Sequence, residues 1–168
     1  MSLPAKLKQF LLFNDGQKYL GMVPEITLPK LSRKMEEYRA AGMTGPVSVD
    51  FGNEAITLEW TAGGIIKQAL EQYGNAKHNG VQLRFAGAYQ NDDTGDVTAV
   101  EIVVRGRHKE IDMGNAKLGD DTQHKYSTAC SYYKLSIDGT TSIELDFING
   151  TETFGSSDNS KIRTAIGL

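Results

Sequence analysis

A chain of 168 residues with 39% hydrophobic and 23% charged residues fits one globular domain large enough to bury a proper core. Its formal charge of −3 argues against a general nucleic-acid binder, which carries a basic excess, without excluding a protein that lets nucleic acid pass unheld. A single cysteine, Cys130, excludes an internal disulfide, and no apolar run approaches the ~20 residues of a membrane helix. The N-terminal MSLPAKLKQFLLF lacks a small-residue cleavage site and does not read as a signal peptide.

The chain reads mainly as strands separated by turns. Residues 10–13 and 19–26 flank Asn14-Asp15-Gly16, a hairpin signal, because Asp-Gly supplies the positive φ angles of a tight turn. The stretch 28–50 comes next, long, charged and punctuated by Gly42, Gly45 and Pro46. A connection longer than ~12–15 residues is usually functional, and here strand-like flanks predict a projecting hairpin arm. In its second strand Val47, Val49 and Phe51 share one face and Ser48 and Asp50 the other. The first, 34–39, does not alternate: Met35 and Tyr38 fall on opposite faces. Such a ribbon makes little sense alone and is expected to be completed by another copy of the chain.

After the arm, Ile56, Leu58 and Trp60 alternate inward. Gly63-Gly64 breaks that strand, and 65–73 reads as a helix with Ile66, Leu70 and Tyr73 on one stripe beside Ala69, ended by Gly74-Asn75. Strands 81–90 and 97–108 follow around Asn91-Asp92-Asp93-Thr94-Gly95-Asp96. Val81, Leu83, Phe85 and Tyr89 oppose Gln82, Arg84 and Gln90 in the first; Val100, Ile102 and Val104 oppose Glu101, Arg105 and Arg107 in the second. A polar loop, 112–121, leads to a hairpin at Asp138-Gly139, with Tyr133, Leu135 and Ile137 facing Ile143, Leu145 and Phe147. The tail holds a turn and a short helix near 158–165. Many short antiparallel strands with one main helix predict a β-sandwich or small barrel.

No residue constellation carries chemistry. The 91–96 cluster lacks the spacing and closing glutamate of a calcium loop and reads as a turn. His78, His108 and His124 share no ligand spacing and are expected at the surface or at strand ends. Cys130 reads as a small core residue, and Asn149-Gly150-Thr151 matches a glycosylation sequon with nothing else to support secretion. The one basic run, Arg105-Gly106-Arg107-His108-Lys109, reads as a strand end pairing with Glu110, Asp112 and neighbouring subunits.

Four blocks, ITLPKLSRKMEEYRAAGMTGPVSVDFG, RFAGAYQNDDTGDVTAVEIVVRGRHKEID, YYKLSIDG and the terminal IGL, resemble the major tail tube proteins of contractile-tailed bacteriophages, the FII family shared with R-type pyocin tubes. The likeness runs in order from near Leu11 to Leu168. It implies a single tail tube domain, barrel-like with a flanking helix at 64–73, assembling as stacked hexameric rings without enzymatic activity or cofactor. Two hairpins per subunit, 31–52 and 84–105, would join those of neighbours in one barrel around a lumen. On that reading Glu36, Glu37, Ser48, Asp50, Arg84 and Glu101 line the lumen, with Arg84 paired to an acid such as Glu101. Met35, Tyr38, Arg39, Met43, Arg105 and Arg107 lie at subunit interfaces. The partners implied are a tail sheath outside, a tape measure protein and DNA transiently inside, and a baseplate or tail initiator and a tail terminator at the ends, with no membrane. Assembly would take place in the bacterial cytoplasm and the product reside in the virion tail. A ring protein of type VI secretion or a pyocin-like particle is the related alternative, which the LPKL and YRAAGM segments disfavour for type VI. A small β-barrel enzyme or ligand-binding module finds no residues to support it.

Overall fold

Alternation of period two dominates the chain, and strands dominate the computed structural model, which describes residues 2–168. In order these are β1 (Lys6–Asn14), β2 (Gln17–Lys18), β3 (Glu25–Thr27), β4 (Arg33–Tyr38), β5 (Val47–Asn53) and β6 (Ile56–Ala62). After α1 (Lys67–Glu71) come β7 (Val81–Gln90), β8 (Val97–Asp112), β9 (His124–Ile137), β10 (Thr140–Asp146), β11 (Thr151–Phe154), β12 (Ser157–Asp158) and α2 (Ser160–Ala165). Ten strands form one antiparallel sheet, ordered β12-β11-β10-β9-β8-β7-β1-β2, with β6 branching from β9 and carrying β3. The other two, β4 and β5, pair only with each other among the described residues.

The branch arises because β9 is long. Its first half pairs with β6 from Ala62↔His124 to Ile56↔Cys130, and its second half pairs with β10 from Asp146↔Tyr132 to Thr140↔Ile137. Opposite it, β8 is kinked by bulges between Arg105 and Gly106 and between His108 and Glu110. At the first bulge a Cβ on Gly106 would lie 1.9 Å from the Ala129 carbonyl oxygen, so only glycine fits. The bent sheet encloses its own core, drawn from one face: Leu12, Leu58, Trp60, Leu83, Val104 and Tyr126 are each almost wholly buried. The Trp60 and Tyr126 rings stack with centroids 4.1 Å apart and planes 6° from parallel. Burying each side chain of this size contributes ~1.5–3 kcal/mol. Cys130 joins the core as expected, and burial pushes its thiol up to about 11.

Local turn chemistry holds. Asp15 and Gly16 (φ 46° and 86°) and Asp138 and Gly139 (φ 50° and 82°) make the two expected tight hairpins. Asp138 also accepts a 2.9 Å hydrogen bond from the Ala99 amide, tying one hairpin to the next strand.

Other expectations need correction. No strand spans 19–26: only Gln17–Lys18 returns along β1, then the chain turns at Gly21 (φ 76°) so that β3 pairs with β6. The helix is shorter than 65–73, one turn at Lys67–Glu71 followed by a 3-10 turn at Gln72–Gly74. Ile66 and Ala69 are buried, but Tyr73 stands exposed, because the tighter 3-10 winding swings it off the stripe. Strand β8 extends past His108 to Asp112, and Phe147 lies beyond the end of β10. His108 lies within β8 and is buried, 4% exposed, rather than at the surface or a strand end, whereas His124, equally buried, begins β9 and so stands at a strand end as expected. His108 is accommodated because its Nδ1 meets the Thr128 hydroxyl at 2.8 Å and its Nε2 meets Gln72 Oε1 at 3.1 Å.

Candidate assembly surface and lumenal face

The arm is β4 and β5 with the 39–46 connection between them. Its register, Met35↔Asp50, Glu36↔Val49, Glu37↔Ser48 and Tyr38↔Val47, fixes the faces, since directly opposed residues share a side. Met35, Glu37, Ser48 and Asp50 lie on one face; Lys34, Glu36, Tyr38, Val47, Val49 and Phe51 lie on the other. The two glutamates are therefore separated: Glu37 shares the face of Ser48 and Asp50, whereas Glu36 sits beside Val49. Every residue of this apolar row is solvent-exposed, Tyr38 at 58% and Phe51 at 61%. Met35 is exposed too, while Arg39 Nε donates to the Met43 carbonyl at 3.4 Å across the tip.

A polar clamp that sequence reading missed fixes the arm's base. Arg33 Nη1 donates to Asp50 at 2.6 Å, the Gly52 amide donates to the other carboxylate oxygen at 2.8 Å, and Arg33 Nη2 lies 3.8 Å from Glu152 on β11. Asn53 Nδ2 donates to Glu152 at 2.5 Å, and the Arg33 guanidinium covers the Phe154 ring at 5.4 Å. The Gly52 amide, and then Arg33, hold the Asp50 carboxyl below the ordinary aspartate range. Asp50 is thus on the polar face as expected, but its charge is committed to Arg33. Opposite charges at mirrored positions about the hairpin were the available signal.

For the 84–105 hairpin, joining neighbours edge to edge in one barrel would require open strand edges, and the structure differs. Its outer edges are occupied within the chain, β7 by β1 and β8 by β9, so it offers a face and no edge. On the face away from the core, Gln9 and Leu11 of β1 adjoin Ala86 and Ala88 of β7, then Ala99 and Glu101 of β8, then Lys134 and Ser136 of β9. Together with Phe10, Leu12 and the 19–24 segment they line a cavity of about 1060 Å³. Arg84 pairs with Glu101 at 3.3 Å, as the reading of the hairpin required, and its guanidinium lies 3.9 Å from the centroid of Phe13. The basic run is arranged otherwise than expected. Arg105 stacks 4.4 Å over Tyr132 and Arg107 reaches the Ala76 carbonyl at 3.4 Å, and among the described residues neither they nor Lys109 forms an ion pair with Glu110 or Asp112.

A family model described as "Phage tail tube protein FII" matches residues 4–167. The chain belongs to this family. It is 45% identical over the full length of both chains to the tail tube protein of Escherichia phage P2. To the major tail tube protein of Serratia phage KSP20 it is 40% identical, covering 89% of this chain and 86% of that one. Among solved structures, the sheath–tube complex of an extracellular contractile injection system in its extended state superposes with a TM-score of 0.58, over 79% of this chain and 91% of the other. At 10% identity that likeness speaks for the fold alone, as do those to a tube-terminating cap and a baseplate of the anti-feeding prophage. The chain is a major tail tube protein of a contractile-tailed phage, a structural component of the virion tail and not an enzyme.

Proposed function

We propose that this tail tube protein assembles as hexameric rings stacked helically into a hollow, barrel-like conduit, whose lumen passes DNA into the host. The observation that carries the reading is the arm: a two-stranded sheet outside the main one, with both outer edges open and an exposed apolar face. An unpaired edge of this length is an aggregation hazard on a monomer, and closing a symmetric ring removes it. The Glu37, Ser48 and Asp50 face and the face carrying Arg84 and Glu101 are the lumenal candidates. They keep the wall acidic or charge-balanced, so phosphates are not retained through counterion release. Met35 and Tyr38, Arg39 and Met43 at the tip, and Arg105 and Arg107 are assigned to contacts between copies. The sheath binds outside, the tape measure protein occupies the lumen before DNA, and the initiator and terminator close the ends; structural neighbours drawn from sheath–tube, cap and baseplate assemblies support these partners.

Electron microscopy of the concentrated protein with its tail initiator tests the reading. Rings and tubes are expected; isolated monomers at every concentration would refute it.

A further inference from the structure

The arm is tied to its own body at one place. Among the described residues, every hydrogen bond, ion pair and cation–π contact from an arm side chain to the body ends on β11: Arg33 and Asn53 on the Glu152 carboxylate, and Arg33 again on the Phe154 ring. One main-chain bond, from the Glu54 amide to the Ser32 carbonyl at 2.8 Å, closes the neck between arm and body. Glu152 thus holds both strands, β4 at one carboxylate oxygen through Arg33 and β5 at the other through Asn53. Its side chain is only 25% exposed, on the face shared with Leu145 of the core, where a carboxylate needs partners.

Glu152 is itself held from the far side. Its amide donates to Asn159 Oδ1 at 2.9 Å, its carbonyl accepts from the Asn159 amide at 3.1 Å, and Asn159 Nδ2 donates to the Gly150 carbonyl at 2.8 Å. Asn159 stands at the N-cap position of α2, where asparagine ordinarily caps, yet its side chain makes no bond to the helix and is committed to β11 instead.

We propose that Glu152 is a positioning residue for assembly: with Asn159 behind it, the C-terminal segment 150–159 fixes the direction in which the arm leaves the body before any neighbour is met. A ribbon joined to the body by two backbone crossings swings about its neck unless something pins it. With one carboxylate oxygen on each strand, the ribbon can neither tilt nor roll without losing a partner. Pinning it in advance removes freedom that association would otherwise have to take away. The inference rests on the tube reading above.

Two measurements test it together. In the dilute subunit, spin labels on Thr44→Cys at the arm tip and Lys125→Cys on the body report the spread of arm positions, with the buried Cys130 left in place. In unlabelled protein, light scattering follows elongation from preformed tube seeds. Glu152→Ala and Glu152→Gln are compared with Thr153→Ala, which alters the same strand on its opposite face; Glu152→Gln keeps size and an acceptor oxygen, which guards against an effect of misfolding. Both Glu152 variants should turn one narrow distance into a broad distribution and slow elongation about fivefold, within the coupling expected of one such network. Thr153→Ala should do neither. Asn159→Ala should act in the same direction and add little to Glu152→Ala; effects that add in full overturn its supporting role. Slowed elongation with an unchanged distribution means that Glu152 meets a neighbour directly, and a broadened distribution with unchanged elongation means that arm direction does not govern assembly; either overturns the proposal while leaving the tube. Unsubstituted protein that forms no tubes overturns the tube reading and the assembly role together.

Discussion

Acid should loosen this subunit through one residue, His108. Burial, opposed only weakly by Asp15, lowers its pKa from 6.5 to about 4. The neutral ring is held between Thr128 and Gln72, with Gln72 Nε2 donating in turn to Asn14 and Asp15 at 2.7 Å each. Between pH 6.5 and 4 the unfolded chain binds a proton at this site that the folded chain refuses, so stability falls as pH falls through that window. The contribution is fully present above pH 6.5 and is gone by pH 4. At ~1.36 kcal/mol per pKa unit the loss is about 3 kcal/mol, or roughly 6–12 °C in Tm for a domain of this size. Urea melts of the dilute subunit between pH 7 and 4 measure it, with His108→Gln as the comparison, because glutamine keeps polar contacts and cannot titrate. The wild-type protein should lose about 3 kcal/mol more than His108→Gln across the window. Parallel acid slopes in the two proteins would sink the reasoning.

Gly106→Ala should cost several kcal/mol, about the upper end of single-site effects, because the new methyl meets backbone that cannot yield at the β8 bulge; thermal melting checks it, and a near-neutral change would show that the bulge can shift. Replacing residues 34–47 by a short glycine linker should leave a folded monomer, seen by circular dichroism and size exclusion, that no longer polymerises; persistent tubes would remove the arm from assembly, and unfolding would make it part of the core. Glu37→Lys with Ser48→Lys should permit assembly yet slow genome delivery, more at low salt where screening is weak; unchanged delivery kinetics would take this face away from the lumen.

Much of the body was legible because its signals are local. The rows Ile56/Leu58/Trp60 and Val81/Leu83/Phe85 follow from period-two alternation, and Asp15-Gly16 and Asp138-Gly139 from the φ angles a tight hairpin needs. What failed depends on distant partners. Nothing near His108 in the chain announces Thr128 or Gln72, so its polarity suggested the surface. The edges of 84–105 looked free because β1 and β9, which occupy them, lie far away in sequence. Glu36 and Glu37 could not be separated without register, since β4 does not alternate. Residues 19–26 have strand composition, but Gly21 and Pro24 turn the chain away from β1 toward β6, so the return strand stops at Lys18.

The separation of β4 and β5 from the main sheet has a kinetic consequence. A two-stranded ribbon alone is marginally stable in water, and in the proposed assembly its apolar row is buried on another subunit. On the proposed assembly, two free subunits meeting must each order a ribbon for few contacts, whereas a subunit arriving at a tube end finds a whole ring of prepared surfaces. Nucleation is then slow and elongation fast. Such a subunit can accumulate in solution as a quiet pool and still polymerise promptly once a ring is presented to it.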